Sequence, residues 1–212
     1  MRKGLFLTIE GCDGSGKTTA CTSVIERLTQ EGYDVMYSRE PGGSDIAEQI
    51  RKVILDVKNT AMDVRTEALL YAASRRQHLI EKIIPAINQG KIVICDRFID
   101  SSLAYQGYGR EIGIEDVLKI NQFSIEGYFP DLTIYYDIDP QSGLNRIASR
   151  KNLDRLDVES LNFHNRVHQG YQIVCQMFPD RIKVIDASKS KQEVSEQTYQ
   201  LIKEKINSYE SK

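Results

Sequence analysis

With 212 residues, 41% hydrophobic and 27% charged, the chain has the size of one domain and enough apolar residues for a real core. That composition excludes a disordered or fibrous protein, and a net charge of −2 offers no global field for nucleic acid or an anionic membrane. Cys12, Cys21, Cys95 and Cys175 have no paired spacing, which argues against a disulfide framework or a zinc site and for a reducing cytoplasm.

No stretch reaches transmembrane length, and the apolar run behind Met1-Arg2-Lys3 stops at Glu10, too short for a signal peptide. That run, Leu5 to Ile9, predicts a buried strand, and Thr19 to Gln30 predicts a helix. Between them Gly11-Cys12-Asp13-Gly14-Ser15-Gly16-Lys17-Thr18 fits the phosphate-binding loop G-x-x-x-x-G-K-[ST]. Its glycines let successive N–H groups converge on a phosphate, Lys17 reaches the outer phosphates, and the Thr18 hydroxyl can ligate Mg²⁺. The following helix, opened by Thr19, turns its positive end toward the same anion. The expected ATP-binding set is therefore Gly11 through Thr19.

Tyr33 to Ser38 predicts a second strand, ending at the turn Arg39-Glu40-Pro41-Gly42-Gly43, on the sheet edge where ligands sit in open α/β folds. Asp45 to Leu55 is amphipathic and carries Arg51. Asp63 or Thr66 can cap a long helix running through Ala68 to Asn88 and stopped by Gly90, with Tyr71, Arg75 and His78 on one face. Lys91 to Cys95 predicts a third strand. Asp96 at its end matches a Walker-B position facing Mg²⁺, and Arg97 suggests a phosphate clamp. Ser102, Tyr105 and Gln106 are spaced to line a pocket.

Ile114 to Glu126 predicts a helix, Leu132 to Ile138 a fourth strand, and Gln141 to Arg150 a helix. Lys151 to Asp157 then breaks the periodicity. Arg146, Arg150 and Arg155 make that region the most arginine-dense of the chain, either a solvated face or a lid closing on phosphates. Ser160 to Phe178 predicts a helix, Ile182 to Ile185 the last strand, and Glu193 to Tyr209 the closing helix. His164 and His168 lie at i, i+4 but lack the zincin glutamate, so they are expected on the surface. Five strands alternating with helices predict an α/β fold: a parallel sheet covered on both faces, in a single domain over 1–212 with a short lid at 146–157.

The chain lacks the N-K-x-D base-reading motif of a GTPase and is too short for a motor, which leaves a small kinase with a second, acceptor pocket. Four blocks carry a closer resemblance over the whole length: the phosphate loop, Arg39 to Gly43, Glu67 to Arg75, and Asp96-Arg97-Phe98-Ile99-Asp100-Ser101-Ser102-Leu103-Ala104-Tyr105-Gln106-Gly107. On these the sequence resembles bacterial thymidylate kinases, P-loop enzymes that move the γ-phosphoryl group of ATP to dTMP.

The resemblance implies a role for each matching residue. Tyr71 stacks on the thymine, where many members have Phe. Arg75 donates to a thymine carbonyl, with Ser102 and Gln106 completing the base edge. Tyr105 crowds the sugar's 2′ position and Asp13 bonds the 3′-hydroxyl. Arg51 and Arg97 hold the acceptor phosphate and Glu40 orients that cluster. Lys17, Arg97 and a lid arginine, Arg150 or Arg155, neutralise the transferring group, while Arg146 serves ATP. Thr18 and Asp96 hold Mg²⁺. Arg155 is expected to lean on Asp154 and Asp157. The resemblance further implies a cytoplasmic homodimer that acts on small molecules and binds neither nucleic acid nor membrane. Two other readings stay open at this stage: a kinase of another deoxynucleotide or deoxynucleoside, and an idle P-loop module that senses nucleotides.

Overall fold

A computed structural model describes residues 4–148 and 154–211. Its centre is β1 (Leu5–Gly11), buried along its whole length. β1 pairs in parallel with β3 (Ile92–Asp96) on one side and β4 (Leu132–Asp137) on the other. β2 (Val35–Arg39) and β5 (Ile182–Asp186) complete a five-stranded parallel sheet of order β2-β3-β1-β4-β5. The five expected strands are all present.

The period of a strand divides β1 between two layers. Leu5, Leu7 and Ile9 pack with Val24 and Leu28 of α1 (Lys17–Gln30) and Ile202 of α9 (Lys191–Glu210). Phe6 faces the opposite layer, with Tyr135, Phe98, Val167 and Tyr171. Thr8 and Glu10 share the Phe6 side by that same alternation, and both are fully buried. Thr8 bonds Thr133 at 2.7 Å, and Arg181 reaches Thr133 and both oxygens of Asp100. A polar line therefore runs through this layer, as burial demands partners for such groups, with the Arg181 Nε left without one among the described residues.

The long helix expected from Ala68 to Asn88 is interrupted. α3 (Val64–His78) runs into a π-helical turn at Leu79–Ile83 before α4 (Ile84–Asn88) resumes. Pro85 supplies the reason: it lacks an N–H and its ring crowds the carbonyl one turn back, and a wider turn relieves both. Asp63 is the cap, accepting from the Arg65 and Thr66 amides at 3.0 Å. Beyond α2 (Asp45–Leu55) and β3, a second wide helix follows α5 (Ile99–Ser102): the pocket-lining run Leu103–Gly109 is π-helical. Gly107 and Gly109 admit close neighbours there, since an added Cβ would sit 3.0 Å from Ile114 and 2.8 Å from Val167. α6 (Ile114–Ile125), α7 (Pro140–Ile147) and α8 (Leu161–Met177) complete the helices.

His164 departs from expectation. It lies 2% exposed, edge-on to the Phe163 ring, while His168 bonds Asp137 at 2.7 Å. Their α8 packs inward on this side, and an i, i+4 pair read in isolation carries no sign of that.

Asp63→Ala removes the α3 cap and is expected to cost about 1 kcal/mol in denaturant unfolding, while Asp63→Asn keeps most of it. Equal stability of all three proteins would mean that the cap is idle.

Candidate active site

β1, β3 and α1 end around one cavity of about 300 Å³. The loop from Gly11 to Gly16 turns on three glycines with positive φ: 146°, 79° and 89° at Gly11, Gly14 and Gly16. Gly14 is also sterically fixed, because a Cβ there would run into the Gly143 backbone of α7. The loop therefore has no room for a side chain at that position, and cations must reach the cavity from elsewhere. Lys17 lines the cavity, its Nζ donating to the Gly11 and Cys12 carbonyls at 2.9 and 3.1 Å. Burial, then the nearby Arg97, lower its pKa. Cys12, Ser15 and Cys21 are buried beneath the loop, and burial pushes the Cys12 thiol up to about 12, so it stays protonated. Thr18 and Thr19 open α1 and line the cavity.

Arg97 follows β3 with φ +70°, a left-handed conformation that costs a non-glycine residue about 1–2 kcal/mol. Its amide donates to the Ile9 carbonyl at 2.9 Å. Its guanidinium donates to Asp13 Oδ1 at 2.8 Å and, through the other nitrogen, to Ser101 and Tyr171 at 3.3 and 3.2 Å. Tyr105 donates to Asp13 Oδ2 at 3.1 Å. Burial alone would raise the Asp13 pKa. Arg97, Lys17 and these hydrogen bonds outweigh it and hold the carboxyl well below the usual range. Asp13 is thus an anion fixed between a cation and a phenol.

The remaining wall comes from β2, α2, α3, the wide helix Leu103–Gly109 and the segment 154–157. Arg39, Glu40, Arg51, Tyr71 and Gln106 line the cavity with Asp154, Leu156 and Asp157. Arg51 and Arg39 both donate to the Pro41 carbonyl, at 2.7 and 3.1 Å, which sets two guanidinium groups side by side. Sequence reasoning gave Arg39 no role of its own, although the turn that contains it was singled out.

Four expected positions differ in the structure. Glu40 does not orient Arg51 or Arg97. It bonds Arg75 at 2.7 Å and His78 at 3.0 Å, both buried behind the wall. Arg75 and Ser102 are not in the cavity lining: Arg75 donates to Glu40, Ser102, Asn121 and the Phe98 carbonyl, and is 1% exposed. Arg155 does not lean on Asp154 and Asp157: the Asp154 carboxylate instead accepts from the Leu156 and Asp157 amides, and that of Asp157 from the Asp154 amide. Arg155 is buried and donates to Glu67 at 2.6 Å and the Ile54 carbonyl at 2.8 Å. A charge held in the core by a buried carboxylate at long sequence range leaves no local signature, and that is why flanking aspartates misled. Arg146 is exposed and donates to the Gly14 and Ala187 carbonyls. Arg150 lies outside the described residues.

Asp96, at the end of β3, lines the cavity and has one buried oxygen, Oδ1, with no partner among the described residues. The other accepts weakly from Tyr37 at 3.4 Å. An unpaired carboxylate oxygen in the same cavity as the Thr18 hydroxyl suits a hard cation with oxygen ligands.

A phosphate loop between a central strand and a helix, facing a cavity rich in arginine, defines a P-loop nucleotide-binding enzyme of the small-kinase type. The family model described as thymidylate kinase matches residues 9–198. The chain is 58% identical over 206 residues to the thymidylate kinase of Geobacillus sp. (strain WCH70), covering 96% of this chain and 98% of that one. It is 57% identical to that of Bacillus velezensis, covering 96% and 97%. The crystal structure of thymidylate kinase from Ehrlichia chaffeensis superposes with a TM-score of 0.77 at 33% identity, over 94% of this chain and 98% of that one. The chain belongs to the thymidylate kinase family.

Glu10, absent from the expected site, is buried on β1 just before the phosphate loop. Burial, then Asp100, push its pKa up to about 7. The folded carboxyl thus keeps its proton where the unfolded chain, ionising near 4.5, has lost it. Glu10 therefore subtracts stability as pH rises from about 4.5 to about 7. Unfolding free energies across that window should shift steadily in favour of Glu10→Gln over the unaltered protein, and a pH-independent difference would contradict the shift.

Proposed function

We propose that this protein transfers the γ-phosphoryl group of ATP to dTMP, giving dTDP and ADP, in the cytoplasm. The observation that carries it is one cavity lined both by the phosphate loop and by Asp13, Arg97, Tyr105, Tyr71 and Gln106, in a member of the thymidylate kinase family.

The mechanism needs positioning and charge neutralisation rather than a general base, because the acceptor phosphate is already ionised. The loop amides and Lys17 take the ATP phosphates, with Arg146 at the rim. Arg51 and Arg97 take the dTMP phosphate, and Arg39 beside Arg51 joins them. Tyr71 stacks on the thymine, and Gln106 reads its edge. Arg75 and Ser102 act from behind, since their hydrogen bonds fix Glu40 and the α5 backbone. Thr18 and Asp96 would hold Mg²⁺, which would supply charge neutralisation on the phosphate oxygens. Arg150 takes the lid role, because Arg155 is engaged with Glu67.

Tyr105 works as a gate against ribose. Its ring is wedged edge-on between Phe163 and Tyr171, at centroid distances of 6.2 Å to each, so it does not yield easily. Asp13, held by the same phenol, accepts the sugar's 3′-hydroxyl.

Exposed apolar side chains on adjoining helices support a homodimer: Phe123 at 88% on α6, Leu69 at 55% on α3, and Ile46 and Val53 on α2. These side chains lie on helices that pack against one another, and a large exposed apolar patch is unusual on a monomer. Light scattering should give twice the chain mass, and Phe123→Asp should lower it toward one.

ADP release measured across nucleoside monophosphates tests the activity. Turnover should be fastest with dTMP and fall for dUMP, dCMP and thymidine. Arg97→Ala should lower kcat at least about a hundredfold. Tyr105→Ala should narrow the preference for dTMP over its ribo counterpart by roughly tenfold, as removal of a clash worth a kcal/mol or more would. ADP formation that ignores dTMP would end the proposal.

A further inference from the structure

Glu10 lies just before the phosphate loop, on the face of β1 turned away from α1, and is fully buried. Four donors converge on it. The Phe98 and Ser101 amides reach Oε1 at 2.7 and 3.3 Å, and the Ser101 and Tyr171 hydroxyls reach Oε2 at 2.5 and 2.9 Å. The same two hydroxyl oxygens receive the Arg97 guanidinium. Every contact between Glu10 and Arg97 thus passes through a group with a single proton.

That count fixes a polarity. Above a pH of about 7 Glu10 is ionised, and the carboxylate, the strongest acceptor available, then takes the protons of both hydroxyls. Their oxygens, 2.8 Å apart, then present only lone pairs to Arg97. The Tyr171 ring is rigidly placed for this, stacked on Tyr135 at a centroid distance of 4.7 Å. The two amide contacts do a second job: they tie the start of α5 to β1 immediately after the strained Arg97 backbone.

We propose that Glu10 is a positioning residue for phosphoryl transfer, fixing through the Ser101 and Tyr171 hydroxyls the direction in which Arg97 meets the acceptor phosphate. Glu10 touches neither substrate. The amide introduced by Glu10→Gln has the same shape but opposite polarity on one side. Its oxygen must stay with the Phe98 and Ser101 amides, so its NH₂ faces the hydroxyls. One hydroxyl can give its proton to the other, but at least one then turns its proton toward the guanidinium, donor against donor, and Arg97 is pushed off its place. This inference rests on the proposed kinase activity.

Steady-state kinetics of Glu10→Gln, Arg97→Ala and the double variant test it, with thermal unfolding to establish that each is folded. Glu10→Gln should reduce kcat/KM for dTMP about thirtyfold or more, leave KM for ATP within about twofold, and add less than about threefold to the loss in Arg97→Ala, because the two act as a unit. A merely structural role would give additive losses and disturb ATP and dTMP alike. If Glu10→Gln does not fold, Tyr171→Phe decides. It removes one hydroxyl and should cost about fivefold with Arg97 present and almost nothing without it. Near-normal dTMP turnover in Glu10→Gln, or full additivity in either cycle, overturns the relay while leaving the kinase activity standing. No dTMP turnover by the unaltered protein overturns that activity instead.

Discussion

Arg97 leaves β3 with φ +70°, and its guanidinium still reaches Asp13 in the phosphate loop. Strain of that kind persists only where the surroundings over-determine it. Here they do: the Arg97 amide is held by Ile9, the next amide by Glu10, and the side chain by Asp13, Ser101 and Tyr171. Each such bond contributes roughly 1 kcal/mol net, more when charged, so together they exceed the cost of the conformation. All of them start from β1 or from elements packed on it. The central strand therefore carries the phosphate loop at its end and, one residue earlier, the anchor for the opposing arginine. The phosphate loop and the arginine facing it are set against each other by one piece of backbone.

The cavity's charge follows from the same economy of space. Gly143 closes the position at Gly14, so positive charge comes from Lys17 within the loop and from Arg39, Arg51 and Arg97 across it. Asp13 and Asp96 balance these cations in different ways. Asp13 is saturated by Arg97 and Tyr105, whereas Asp96 keeps a buried oxygen without a protein partner among the described residues. One carboxylate is built into the wall, and the other keeps an acceptor oxygen in it.

Much of this was legible in the sequence. The glycine spacing of the loop, the five apolar runs and the Asp96-Arg97 pair are local patterns, and local patterns survive in one dimension. What stayed hidden depends on packing across elements. Thr8 and Glu10 sit in or beside an apolar run that reads simply as a buried strand, and only the alternation of faces separates the polar line from the core. Arg75, Glu40 and Arg155 look like surface or site charges in sequence, yet each is neutralised in the interior by a residue at least 35 positions away. The two π-helical stretches were missed for different reasons. Pro85 gave a signal that went unused, while Leu103 to Gly109 carries close glycine contacts that no periodicity announces.

The central claim is that ATP and dTMP meet in one continuous cavity with Arg97 between them. A single molecule in which adenosine and thymidine are joined through a polyphosphate chain tests this by titration calorimetry against ATP and dTMP alone. If the sites adjoin, linkage makes the second contact intramolecular, and the joined molecule should bind at least about a hundredfold tighter than the better half. Arg97→Ala should remove most of that gain. A joined molecule that binds no tighter than ATP or dTMP alone would contradict the account.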